Sequence, residues 1–256
     1  MATEEILANA HLEGTSLELA GGKTGILLLH GFTATTVEVR PFGEYLFQNG
    51  YSVSAPLLPG HGTQPDDLNQ KKWQDWTVSV EDAYQSLKKH CDMVFVGGES
   101  MGGLLSLYLA SRHPEICGLL LFAPALIAPN LKRAKLLTPF MRSLPKRSDK
   151  NTRPLPKPWQ GYHVNPLAAA YQVSLLQKEV KQRLKFITQP AIIFQGGADR
   201  TIDPRSSQAV FDGIQSEVKS YHWYQDASHC IILESCSDEI YQIGLQFIQR
   251  ISQTKN

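Results

Sequence analysis

The chain has 256 residues, 42% hydrophobic and 19% charged, with 25 Lys and Arg against 24 Asp and Glu for a formal net charge of +1. That length buries roughly 70–75% of the unfolded surface, enough for an α/β unit without staples. The balanced charge excludes the strongly basic domain of a nucleic-acid binder, so no nucleic-acid partner is expected. No apolar run approaches the ~20 residues of a membrane span. The opening MATEEILANAHLEG lacks the basic-then-apolar pattern of a signal peptide, which makes a cytoplasmic protein the expectation. The four cysteines (Cys91, Cys117, Cys230, Cys236) form no C-x-x-C pair, so they read as small buried apolar residues rather than a metal or dithiol site.

In chain order, the first predicted strand is 25–29 (GILLL). Thr35-x-x-Glu38 has the pattern of a capping box opening a helix that carries Phe42, Tyr45 and Leu46 on one face and stops at Gly50. Strands follow at 51–55 and 93–97, then a helix from just after Ser100 to before Pro114, then a strand at 118–122. From 124 to 189 no strand is predicted; 129–158 is rich in proline, and a helix runs from Pro166 to about Leu184. Strands at 191–195 and 219–224 and a helix at 237–251 complete the chain. Most of these strands are continuously apolar, as parallel strands covered on both faces must be. Strand and helix in alternation predict a mostly parallel, doubly wound α/β sheet. Residues 1–124 and 190–256 then form the core, and 125–189 a helical cap inserted over the carboxyl edge, where ligands bind.

Chemistry enters at Gly98-Glu99-Ser100-Met101-Gly102, a G-x-S-x-G motif with MVFVG before it and the helical MGGLLSLYLASRH after it. A strand that turns at once into a helix leaves a serine Oγ exposed above the sheet, and glycines are needed where side chains would collide. Ser100 is the predicted nucleophile. A tetrahedral intermediate needs two N–H donors, and the amides of Met101 and of Phe32, in the loop His30-Gly31-Phe32 after the first strand, stand in the right places. His30 reads as a structural residue of that loop. The order serine, acid, histidine makes Asp199, at the end of 191–195, the acid. Asp203, just before Pro204, is its competitor and reads as a turn or helix-cap residue. His229, in the loop after the last strand, is the general base; His222 lies within that strand, and His61 precedes the serine.

With these residues assembled, the chain resembles the α/β-hydrolase superfamily, and within it the bacterial carboxylesterase and monoacylglycerol lipase group, over about residues 24–252. The resemblance is carried by LLLHGFT (27–33), APLLPGHG (55–62), GESMGG (98–103), QGGADRTIDP (195–204), DASHCIILE (226–234) and the approach to the acid-bearing strand at 165–190. It implies an enzyme that cleaves short- to medium-chain acyl esters through an acyl-enzyme, with no cofactor or metal. It places Ser100, Asp199, His229, Phe32 and Met101 on the group's functional positions. Glu99 departs from the group, where histidine or leucine is more usual. Amide, thioester or carbon–carbon bond hydrolysis by the same triad stays open at this stage, as does a ligand receptor built on a hydrolase scaffold.

The predicted cap is basic. Residues 131–160 hold Lys132, Arg133, Lys135, Arg142, Lys146, Arg147, Lys150, Arg153 and Lys157 against Asp149 alone. The bland expectation is a solvated surface; the functional one is weak contact with anionic lipid or attraction of anionic substrates. Leu126, Ile127, Phe140 and Met141 are candidate walls of an acyl pocket.

Overall fold

The computed structural model describes residues 6–129, 131–146 and 154–255. Its elements in chain order are β1 (Leu7–Ala8), β2 (Leu17–Leu19), β3 (Thr24–Leu29), α1 (Arg40–Gln48), β4 (Ser52–Ala55), α2 (Pro65–Asn69), α3 (Trp73–Lys88), β5 (Met93–Glu99), α4 (Met101–Ala110), β6 (Gly118–Phe122) and α5 (Ala134–Leu137). After these come β7 (Ser143–Pro145), β8 (Gly161–Tyr162), β9 (Val164–Pro166), α6 (Leu167–Arg183), β10 (Ala191–Gly196), α7 (Arg205–Gly213), β11 (Lys219–Tyr224) and α8 (Ser237–Lys255).

Seven strands among the described residues form one sheet in the order β11-β10-β6-β5-β3-β4-β2. Every pairing in it is parallel except β2 with β4. Leu27, Leu28 and Leu29, Leu119 to Phe122 and Ile192 to Phe194 are buried, because helices cover both faces. The order reverses around β3 and β5. The carboxyl ends of these central strands therefore flank a crevice, the usual ligand position in an open α/β sheet. No helix among the described residues is long and apolar enough to cross a membrane.

All six predicted strands are present, within one or two residues of their expected ends. Four features differ from expectation. The antiparallel edge strand β2 is only three residues long and carries no pattern to read. Helix α3 buries Trp76, Val80, Tyr84 and Leu87, a four-residue repeat hidden among β-branched and polar residues. The Thr35-x-x-Glu38 pattern is not a reciprocal capping box. Thr35 Oγ1 accepts the Val37 N–H over a single 3-10 turn (Thr36–Glu38), while the Glu38 carboxyl turns away to other partners. The insertion between β6 and β10 does contain strands: β7 pairs with β9, and β8 with the N-terminal β1. Each is two or three residues long, below what periodicity can register.

The candidate active site

Ser100 stands between the last residue of β5 and the first of α4, with φ +56° and ψ −110°. A non-glycine residue occupies such backbone at a cost of roughly 1–3 kcal/mol, so its surroundings must hold it there. Its N–H donates to the Phe122 carbonyl at 2.9 Å, and its own carbonyl accepts from Leu104 at 3.3 Å and Ala125 at 3.1 Å. The turn is also squeezed. A Cβ on Gly102 would lie 2.0 Å from the Leu29 carbonyl oxygen, and one on Gly98 2.6 Å from the same atom. Only glycine lets α4 and β3 close on the serine from both sides.

His229 reaches this serine from the loop after β11. Its Nε2 is 2.9 Å from Ser100 Oγ, and its Nδ1 is 2.7 Å from Asp199 Oδ2. The hydrogen-bond pattern calls for the Nδ1–H tautomer, with Nε2 free to accept from the hydroxyl. The acid and base turns are stitched together: Gly197 N–H donates to Tyr224 O at 2.8 Å and Ala198 N–H to Ala227 O at 3.0 Å. Asp199 Oδ1 accepts from the amides of Thr201 (2.8 Å) and Ile202 (3.0 Å), and Oδ2 accepts from Gln195 Nε2 (3.2 Å) as well as from His229. Burial alone would raise its pKa, but His229 and the two amides outweigh that and hold the carboxylate below its ordinary range. Burial likewise pulls the His229 imidazolium down; Asp199 more than offsets it, Glu38 adds to the effect, and the pKa is raised from that of an ordinary imidazole. Asp203 is elsewhere employed. It accepts the Arg205 N–H at 2.9 Å at the start of α7 and pairs with the Arg205 guanidinium at 2.6 Å.

The loop after β3 is locked from below. His30 Nε2 accepts the Leu58 N–H at 3.1 Å and His30 Nδ1 donates to the Gly31 carbonyl at 2.9 Å. Burial pushes this imidazole down to about 4, so it is a neutral structural group. The Gly31 N–H is consumed by Glu38 Oε2 at 2.5 Å. Among the described residues, the amides of Phe32 and Met101 have no protein acceptor. For Met101 this follows from its place in the first turn of α4.

Glu38 is the site residue that sequence reading missed. It is buried, and besides the Gly31 amide it accepts from Trp159 Nε1 at 2.9 Å and, weakly, from the Cys230 thiol at 3.9 Å. The only signal was the Thr35-x-x-Glu38 pattern, which pointed to a cap instead. Glu99 is fully buried behind the serine. Its Oε2 accepts the Ile232 N–H at 3.4 Å, and its Oε1 has no partner among the described residues. Burial first, then the Glu38 and Asp199 carboxylates, push it well above the usual range.

The expected pocket residues are divided. Leu126 is buried and Ile127 is half-buried, its N–H donating to Ser206 Oγ at 2.9 Å. Phe140 is 84% exposed and Met141 42%, so the structure does not turn them inward. The reason is the size of α5: four residues bury one side, Ala134 against Leu167 and Ala170, and the rest of the segment faces water. The Phe32 ring packs on that same small cluster with Leu131 and Leu144. Of the predicted basic run, Arg147, Asp149, Lys150 and Arg153 lie outside the described residues.

Comparison with known proteins decides the family. The family described as serine aminopeptidase, S33, matches residues 22–236. The chain belongs to it. It is 34% identical over 232 residues to the thermostable monoacylglycerol lipase of Bacillus sp. (strain H-257), covering 90% of this chain and 92% of that one. It is 28% identical to a carboxylesterase of Bacillus subtilis, covering 90% and 94%. A solved structure reported for the metagenome-derived lipolytic enzymes LipS and LipT superposes with a TM-score of 0.87 at 27% identity, covering 93% and 98%. The chain is thus a hydrolase with the α/β-hydrolase fold, and its relatives are carboxylic ester hydrolases.

The buried acids give the first prediction. A raised His229 pKa moves the acidic limb of kcat/KM upward from that of an ordinary imidazole, because only the neutral imidazole can accept the serine proton. Burial pushes Glu99 toward its neutral form, and Glu38 rather than Glu99 is the second carboxyl that raises the His229 pKa. Glu99→Gln should leave that limb where it is in a folded, active protein; a shift to lower pH would show that Glu99 is ionised. The second prediction separates the two aspartates. Asp199→Asn, which favours the wrong histidine tautomer, should lower kcat by about 10⁴-fold. Asp203→Asn should leave kcat within about a factor of two of wild type, since that carboxylate serves only α7 and Arg205. The reverse order in steady-state assays would reassign the acid.

Proposed function

We propose that the chain hydrolyses short- to medium-chain acyl esters, monoacylglycerols among them, with Ser100 as nucleophile, His229 as general base and Asp199 as the acid that orients it. The observation that carries this reading is the unbroken chain of contacts from Ser100 Oγ through His229 to Asp199, at 2.9 and 2.7 Å. His229 takes the hydroxyl proton as Ser100 attacks the ester carbonyl, and Asp199, its four acceptor contacts filled, stabilises the imidazolium. The Phe32 and Met101 amides receive the developing oxyanion at a helix N-terminus whose dipole favours it. His229 returns the proton to the departing alcohol, and water repeats the sequence on the acyl-enzyme. The 125–189 insertion serves as the cap, and Phe32, Leu131 and Leu144 line the acyl side of the cleft.

The family's description as an aminopeptidase raises the amide alternative. A peptidase that trims amino termini needs an anionic group for the substrate ammonium. The acids around this serine are spoken for: Asp199 by His229, Glu38 by Gly31 and Trp159, Glu99 by burial. The charge of Lys146, which also acts on His229, is of the wrong sign. Ester cleavage fits better, and the monoacylglycerol lipase relative supports it.

The third prediction follows directly. Ser100→Ala should lose on the order of 10⁶-fold in ester turnover while melting like wild type. On a panel of p-nitrophenyl esters of rising chain length beside the matching anilides, turnover should peak at short to medium acyl chains, with anilides far slower. Anilide cleavage as fast as ester cleavage would favour the peptidase reading. A fourth concerns the exposed ridge Leu136, Leu137, Phe140 and Met141, interleaved with Lys132, Arg133, Lys135 and Arg142. Apolar side chains among cations suit weak contact with an anionic lipid surface. Co-sedimentation with phosphatidylglycerol vesicles should be measurable at low salt and lost at high salt; none at low salt would remove the lipid partner.

A further inference from the structure

The loop that presents the Phe32 amide does not support itself. Thr33 has φ +66°, a left-handed conformation that a β-branched residue avoids. Its side chain and carbonyl are both held by the insertion: Lys146 Nζ donates to Thr33 Oγ1 at 2.6 Å and the Tyr162 N–H donates to Thr33 O at 2.9 Å. On the other side of Phe32, the Gly31 N–H is fixed by Glu38, and Glu38 is itself fixed by Trp159 Nε1. Lys146 Nζ lies 4.3 Å from the centroid of the same Trp159 ring, so one cation braces both ends of the arrangement. Ala34 forms an antiparallel bridge with Gly161, and the approach is so close that a Cβ on Gly161 would sit 2.4 Å from Thr33 O. Residues 31, 33 and 34 are thus each tied down, and the amide between them is left without a protein acceptor.

We propose that Glu38, Trp159 and Lys146 are positioning residues that aim the Phe32 amide at the oxyanion, so that the insertion governs the oxyanion hole as well as covering the cleft. This rests on the oxyanion role given to Phe32 above. A donor in a preorganised hole acts on the transition state and little on the bound ester, so its misalignment lowers kcat and spares KM. Glu38 is the centre of the arrangement because it joins three separate segments: the Gly31 loop, the Trp159 segment and, through Cys230, the loop of His229.

The experiment compares Trp159→Phe, Lys146→Met, Glu38→Gln and Glu38→Leu with wild type. Trp159→Phe keeps an aromatic ring for Lys146 and removes the N–H together with part of the indole; Glu38→Gln keeps an oxygen for the Gly31 amide, and Glu38→Leu does not. The readouts are kcat and KM for a p-nitrophenyl ester, the Ki of a trifluoromethyl ketone that forms a tetrahedral adduct on serine, and the melting temperature. Expected are a fall in kcat of roughly 10-fold for Trp159→Phe and Lys146→Met, KM within about twofold, and a Ki that rises in parallel with the loss of kcat/KM. Glu38→Gln should retain more activity than Glu38→Leu. If the Glu38 variants do not fold, Lys146→Met and Trp159→Phe decide the matter alone. An effect on KM only, or a fall in kcat with Ki unchanged, overturns the positioning role while Ser100-dependent turnover stands. Persistent turnover in Ser100→Ala would instead bring down the reading beneath it.

Discussion

The backbone of Ser100 sets the terms for everything around it. A serine stays at φ +56° and ψ −110° only where its neighbours over-determine it. Strand β6 must lie beside β5 so that the Phe122 carbonyl can take the Ser100 N–H. Strand β3 must lie on the other side, so close that Gly98 and Gly102 admit no side chain. Helix α4 must leave the turn at once, and it is buried almost all round, with Tyr108 alone reaching the surface within Met101–Ala110. Strand order, glycine placement and the apolar MGGLLSLYLA follow from a single strained residue whose hydroxyl has to stand above the sheet.

Three carboxyl groups near this serine show how environment assigns chemistry. Asp199 accepts four hydrogen bonds, two from amides, one from Gln195 and one from His229, and is held as a carboxylate. Among the described residues Glu99 has one long bond to the Ile232 amide and an orphan oxygen, and burial among other acids pushes it toward the neutral form. A neutral acid costs far less to bury than an unpaired charge, which is how a glutamate is tolerated directly behind Ser100. Glu38 lies between these cases. Burial raises its pKa, while the Gly31 amide, the Trp159 N–H, His229 and Lys146 pull it back. Its carboxyl, not that of Glu99, adds to the effect of Asp199 on His229.

What could be read beforehand followed from local signals. The six longer strands declare themselves as apolar runs; Ser100 and Asp199 sit in glycine-bearing turns after two of them, and His229 in the loop after the last, all visible within ten residues of chain. Glu38 could not be assigned this way, because its partner Trp159 is 121 residues distant and no pattern links the two. The strands of the insertion are too short for a period, and they pair with residues as remote as Leu7. Phe140 and Met141 were legible as large apolar residues in a proline-rich segment but not as exposed ones. That depended on how little of α5 the cluster of Ala134, Leu167 and Ala170 could cover.

The two parts of the insertion are anchored very differently, and this bears on how an ester could reach Ser100. The strap at 159–162 is bonded on both sides. It pairs with β1, Gln160 Nε2 donates to the carbonyls of Asn9 and Leu12 at 2.9 Å each, and its other edge meets the loop at Thr33 to Thr35. The α5 side is fastened mainly by the small cluster of Ala134, Leu167 and Ala170, with several large apolar groups left in water. Regions with few buried contacts and exposed backbone open at the lowest free energy. The α5 side is therefore the cheap one to displace. Moving it would uncover Phe32, Leu131 and Leu144 while leaving Trp159, Glu38 and the Gly31 amide in place. On the proposed reading, access and oxyanion geometry would be carried by different pieces of one insertion, so that admitting substrate need not disturb the bonds among Trp159, Glu38 and the Gly31 amide.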